Sequence, residues 1–147
     1  MTDFQNKLDK LIRLGFVSIS KIPESELVFK ASEKKWSKKE VLGHLIDSGI
    51  NNLQRFTEIQ FKDKPYRFDN YSQNELVLAN DYQHSEITEL LVFWKAINNR
   101  ILHLFSIQNK ESLSFEIVFD NGEVSDLRFL MNDYVNHLEH HLNQILS

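Results

Sequence analysis

Apolar residues recur along most of this chain at spacings of three and four, the repeat of a helix that turns one face inward. Phe4, Leu8, Leu11, Ile12 and Ile19 form such a stripe and predict a first helix over residues 3–20. It must stop before Pro23, whose ring and missing N–H cannot continue it. A second helix opens at Ser37, because a serine followed three residues later by Glu40 is a capping box in which each side chain accepts from an unpaired backbone N–H. Its inner face is Val41, Leu45, Asn52, Phe56 and Ile59, and it ends before Pro65. From Lys62 to Gln83 the period is lost, which predicts an ordered crossover connection with one short helix at Gln73 to Ala79. Ser85 is the expected cap of a third long helix, with Ile87, Leu91, Trp94, Ile97, Ile101 and Phe105 inward. The period then changes to two: Leu113, Phe115, Ile117 and Phe119 alternate with Ser114, Glu116 and Val118 ahead of the turn Asp120-Asn121-Gly122, so a small hairpin is expected. Ser125 is the expected cap of the last helix, which runs to the C-terminus. A long crossover lets the third helix run parallel to the second, where a short loop would force them antiparallel. The expected fold class is all-α, a four-helix bundle with one long crossover connection and a small β-hairpin before the last helix.

Composition narrows this picture. The 147 residues, 41% of them hydrophobic, suffice for one core, so residues 1–147 are read as a single domain. Four glycines and two prolines suit a helical chain. No apolar run approaches the ~20 residues of a membrane span, and the amphipathic start MTDFQNKLDKLIRLGF does not read as a secretory leader. With no cysteine there is neither a disulfide framework nor a thiolate metal site, and a reducing cytoplasm is the expected location. A net charge of -4 argues against general nucleic-acid binding. The basic cluster KKWSKK around Trp36 is read as a solvated helix start.

Three histidines crowd YVNHLEHHLNQI near the end of the chain. With His137 set at zero and about 100° per residue, Leu127, Leu130, Tyr134, Leu138, Leu142 and Ile145 fall on an arc that contains His141 and is bordered by His137, while His140 points to solvent. Two histidines four apart stack on one helix face, where both imidazoles either reach a single ion or pack at a bundle seam. A third inward histidine, His44, sits at the edge of the second helix's apolar arc; His84 and His103 are read as surface residues. Three neutral imidazoles with an open position make a catalytic zinc-type site.

The stretch WSKKEVLGHLIDS, a tryptophan-serine helix start followed by a histidine and, three residues on, an aspartate, together with HLEHHLNQI, resembles the DinB/YfiT-like superfamily of metal-binding four-helix bundles. The spacing between these motifs, the region of Arg100 and the total length extend the resemblance over essentially the whole chain. It implies that His44, His137 and His141 are the ligands of a divalent metal, zinc or nickel first, and that the protein is a homodimer. It implies no single reaction: some members are transferases or isomerases that use low-molecular-weight thiols, and others are described as metal-dependent hydrolases.

An ion held by neutral ligands keeps its full charge, so it favours ionisation of a bound water or thiol. Without a cysteine, any sulfur nucleophile must be a cosubstrate. Asp47 is a candidate for orienting His44 or acting as a base, Asn51 lies one turn on, and Gln144 follows His141 by three; for each, an ordinary polar helix edge is the alternative. Tyr134 is read as core. Spacing excludes an HExxH protease helix, and there is neither a phosphate-binding glycine loop nor a GxSxG elbow. Tyr66, Phe68, Tyr71 and Tyr82 in the crossover either wall a pocket or pin the loop. The leading expectation is a metal-dependent enzyme acting on a small molecule, with thiol transfer ahead of hydrolysis; a non-catalytic metal- or ligand-binding bundle is the alternative from another class.

Overall fold

The Thr2 side chain accepts from the Gln5 N–H at 3.2 Å and opens the first helix, α1 (Asp3–Ser20). The computed structural model describes residues 2–147. A short helix, α2 (Glu24–Leu27), follows Pro23 and buries Leu27. Then comes α3 (Lys38–Glu58), whose capping box is formed as the sequence dictates: Ser37 accepts from Glu40 N, and Glu40 Oε1 accepts from Ser37 N, each at 3.1 Å. Such a cap is worth about 1 kcal/mol, and here it fixes the phase of the helix that carries His44 and Asp47.

The crossover holds the two-residue strand β1 (Tyr66–Arg67), the helix α4 (Gln73–Ala79) and a single tight 3-10 turn at Tyr82–His84. The third long helix is α5 (Ile87–Ser106), followed by α6 (Lys110–Leu113), β2 (Glu116–Val118), β3 (Val124–Asp126) and α7 (Leu127–Leu146). Ring packing and close approaches give the helix directions. Phe56 meets Phe105, and Gly49 lies against Ile97, so α3 and α5 run parallel. Lys7 bonds Asn136 and Gly15 lies against Leu142, so α1 and α7 also run parallel, and the two pairs oppose each other. This is the bundle with one long crossover that the length of residues 62–83 implied.

Every residue of the four expected stripes is buried, apart from the half-buried Ile87 at the start of α5. Several local details differ. Ser85 does not cap α5: its hydroxyl donates to the Asp81 carbonyl, and Glu86 stands at the cap position without a side-chain bond. Asp126, not Ser125, caps α7 by accepting from Phe129 N at 2.8 Å, because a carboxylate one residue later reaches the same N–H groups with a full charge. Leu113 belongs to α6, so the hairpin is shorter than its alternation suggested. It turns through Gly122 at φ 87, a conformation that only glycine adopts without strain. β1 pairs in parallel with β2, with Tyr66 opposite Ile117, which ties the crossover to the hairpin in a three-stranded sheet. Lys39, read as part of a solvated start, is buried: its ammonium donates to Glu24 at 2.5 Å and to the Ser85 carbonyl at 2.9 Å. Among the described residues no helix is long and apolar enough to cross a membrane.

Candidate metal centre

Antiparallel packing of α3 on α7 brings His44 against the histidine pair two turns from the C-terminus. His44 is wholly buried; His137 and His141 are half-buried. One ring nitrogen from each lies within 4.8 Å of the others. His44 Nε2 and His137 Nε2 are 3.2 Å apart, close to the ~3.3 Å edge that 2.0–2.1 Å metal–nitrogen bonds subtend at a tetrahedral ion. Ring centroids lie 5.1 Å apart for His44 and His137, 4.8 Å for His44 and His141, and 4.5 Å for His137 and His141. All three pairs meet nearly edge to face, so the nitrogens converge instead of the rings stacking. His140 and His103, on the outer phases of their helices, and His84, which precedes α5, are exposed and stand outside the cluster.

The electrostatics suit a neutral donor set. Burial, and then the neighbouring His137 and His141, lower the pKa of His44 to about 4. Burial, His141 and then His140 lower that of His137 to about 4. Near pH 7 both rings are therefore unprotonated and present lone pairs, the form a metal takes. His141 Nδ1–H donates to Gln144 Oε1 at 2.9 Å, which leaves Nε2 as its free lone pair. Trp36 covers His44, with ring centroids 4.9 Å apart and planes tilted by 33°. This set of donors fits a borderline divalent ion, which His44, His137 and His141 could hold.

Asp47 is buried beside this centre, but its hydrogen bonds go elsewhere: Oδ1 accepts from the Tyr82 hydroxyl at 2.6 Å and from Asn80 at 3.3 Å. The orienting contact to His44 is not among them. Asp47 Oδ2 and His44 Nδ1 are both buried without a hydrogen-bond partner. Burial raises the Asp47 pKa, and the Tyr82 bond partly opposes the rise. Asn51 donates to the Asp47 carbonyl at 2.8 Å and so is held by its own helix. Tyr134 is buried, with its hydroxyl donating to Asn98 Oδ1 at 2.7 Å, a core role. The sequence presents Trp36 as part of the tryptophan-serine helix start and Tyr82 as one of the crossover aromatics, but their partners, His44 and Asp47, are visible only in the contacts.

Two concavities flank the histidines. The larger, about 820 Å³, is bounded by Trp36 and Gln144 and includes no histidine. The smaller, about 240 Å³, is lined by His137 itself with Ser48, Asn52, Arg55, Tyr71 and Asp133. Size favours the first, but only the second touches a candidate ligand, and contact with the reacting centre is what a substrate site requires.

The sequence profile of the DinB superfamily matches residues 16–145, and the chain belongs to that superfamily. Among solved structures it is similar to YfiT from Bacillus subtilis, described as a probable metal-dependent hydrolase with an unusual four-helix bundle topology, at TM-score 0.86 and 18% identity over 99% of this chain and 86% of that one. It is also similar to a mycothiol-dependent maleylpyruvate isomerase, at TM-score 0.71 and 14% identity over 99% of this chain and 63% of that one. A DinB-like protein from Bacillus subtilis aligns at TM-score 0.66 and 18% identity over 98% and 87%. At these identities the likenesses establish the fold alone. No curated protein matches the sequence.

Proposed function

We propose that this protein is a metal-dependent enzyme acting on a small molecule, with thiol-dependent transfer as its reaction and water-dependent hydrolysis as the second reading. The observation that carries the proposal is the convergence of three imidazole nitrogens within 4.8 Å at the wall of a cleft. His44, His137 and His141 hold the ion, zinc or nickel, and Gln144 fixes the tautomer and ring angle of His141. When bound, a divalent ion with only neutral ligands supplies strong Lewis acidity and lowers the pKa of a coordinated thiol or water. Trp36 packs on the wholly buried His44, and the half-buried His137 and His141 are the members of the cluster open to solvent. With no cysteine in the chain, the sulfur nucleophile is a low-molecular-weight thiol cosubstrate. Asp47 is the one buried carboxyl nearby with a raised pKa and an unpartnered oxygen, and it is proposed as the proton-holding group.

Likeness to a mycothiol-dependent isomerase supports the thiol reading, and likeness to a probable metal-dependent hydrolase supports the second. We further propose a cytoplasmic homodimer that binds neither nucleic acid nor membrane. The deciding experiment screens common cellular thiols against simple electrophiles, beside ester and amide substrates, with metal-loaded and metal-free protein. Thiol-dependent turnover lost in His44→Ala supports transfer. Metal-dependent hydrolysis without thiol moves the assignment to the second reading, and no turnover in a fully loaded protein moves it to a non-catalytic binding role.

A further inference from the structure

Eleven residues separate His44 from Arg55 on α3, close to three full turns, so the two side chains leave the same helix face, with Ser48 between them. Arg55 and His137 line the same cleft. The guanidinium is half-buried and packs against two rings, 4.3 Å from the centroid of Phe68 and 5.5 Å from that of Tyr71. Of its five N–H donors, one makes a protein hydrogen bond, Nη2 to the Asp69 carbonyl at 2.7 Å.

Arg55 forms no ion pair among the described residues. The nearby Glu58 carboxylate is engaged by Lys62, Gln54 and Tyr66. Burial lowers the Arg55 pKa, and Tyr71, Tyr66 and Asp69 oppose the drop. A guanidinium remains charged under any such shift, and the donors that Asp69 does not use stay available to an anion. Asp133, the other charged group at this cleft, is exposed and hence screened by solvent.

We infer that Arg55 is the receptor for a carboxylate group on the small molecule that reaches the histidine centre, so that the ligand is a carboxylic acid held at one end by Arg55 and presented at the other to His137. The planar guanidinium fork matches a carboxylate in a bidentate contact. The eleven-residue offset is about 16 Å along the helix axis. Because helical side chains lean towards their own N-terminus, Arg55 leans towards the histidines, and His137, on antiparallel α7, leans towards Arg55, leaving on the order of 10 Å for the ligand to span. This inference rests on the proposed metal site for the far end of the ligand, but its near end is testable without metal.

The test has two arms. In the first, the Arg55 Nε–H resonance of isotope-labelled, metal-free protein is followed while hexanoate or the uncharged hexanol is added. Hexanoate should shift the resonance saturably and hexanol should not. In the second, cobalt-loaded protein is titrated with 6-mercaptohexanoate or 6-mercaptohexanol, read by the sulfur-to-cobalt absorption band. The acid should bind about tenfold more tightly or better, as a charge-assisted bidentate contact implies. Arg55→Gln should erase the preference, and Arg55→Lys should retain part of it. Equal response to acid and alcohol in the first arm, or a preference that survives in folded Arg55→Gln, overturns the carboxylate receptor. Failure to bind cobalt with a positive first arm overturns the metal reading and leaves the receptor standing.

Discussion

His44 Nε2 and His137 Nε2 stand 3.2 Å apart, although ninety-three residues separate them in the chain. Two neutral imidazoles at that distance share at most one proton, and a nitrogen of His141 within 4.8 Å of both supports the proposed metal site. Substituting His141→Ala is therefore expected to abolish stoichiometric metal, whereas His140→Ala, on the exposed face, leaves it unchanged. Elemental analysis of untagged protein checks this; equal metal content in the two variants removes the three-histidine assignment.

The same burial gives the metal-free protein an acid weakness. His44 and His137 have pKa values lowered from 6.5 to about 4, while the unfolded chain binds protons near the ordinary value. Between these limits the unfolded state holds more protons, so stability is fully present above about 6.5 and is lost as pH falls towards 4. Glu58, lowered from 4.5 to about 2, acts in a window below this one, and the raised pKa of Asp47 acts with the opposite sign. The urea midpoint of metal-free protein should drop between pH 7 and pH 5, and a flat profile there contradicts neutral burial of the pair.

Much of this was legible in the sequence because it depends on helix phase. His137, His140 and His141 sort inward or outward from a 100° turn per residue, and the Ser37–Glu40 box sets the start from which His44 and Asp47 are counted. Contacts between distant segments carry no such local signal. Nothing in the Tyr66–Arg67 dipeptide announces a strand, since its partner lies at Ile117–Val118. Asp47 sits at the spacing that suggests an orienting role for His44, but Tyr82, delivered by the crossover, takes its oxygen instead. Lys39 is polar by type, and its burial follows from the chance to meet Glu24 and the Ser85 carbonyl together.

Tyr82 is expected to be a stability residue for the site's floor. Its ring lies against Gly43, where an added Cβ would come within 2.1 Å of Cδ2, and its hydroxyl supplies the stronger of two bonds to buried Asp47. Tyr82→Phe should cost roughly 1–3 kcal/mol by leaving a buried carboxyl under-satisfied. Gly43→Ala should cost as much or more, by displacing the ring. Denaturant unfolding measures both, and a loss below about 0.5 kcal/mol in each would show that Tyr82 is not seated on Asp47.

The proposed homodimer has a candidate face. Val92 and Phe93 on α5 are exposed and line one shallow concavity with Thr88 and Ala96. A face of this kind gains by self-association. The wild-type chain should sediment as a dimer at micromolar concentration and Phe93→Asp as a 17.4 kDa monomer with unchanged helix content. Monomeric wild-type protein removes the dimer, and a dimer that survives Phe93→Asp removes this face.

Gln144 gives the most discriminating test of the histidine geometry. Its Oε1 accepts from His141 Nδ1 at 2.9 Å on an exposed helix edge. If the contact fixes which nitrogen of His141 carries the proton, removing it loosens the ring and lowers its donor strength towards the ion. Gln144→Ala should weaken metal affinity by about 10–100-fold, the usual range for such partners, with little change in the stability of the metal-free protein, since the bond is solvent-exposed. Gln144→Glu keeps an acceptor and adds charge, so it should restore or exceed wild-type affinity. A structural role for Gln144 predicts the reverse pattern, with lower stability without metal and unaltered affinity. Competition titration with a chromophoric chelator, run beside denaturant unfolding of metal-free protein, separates the two.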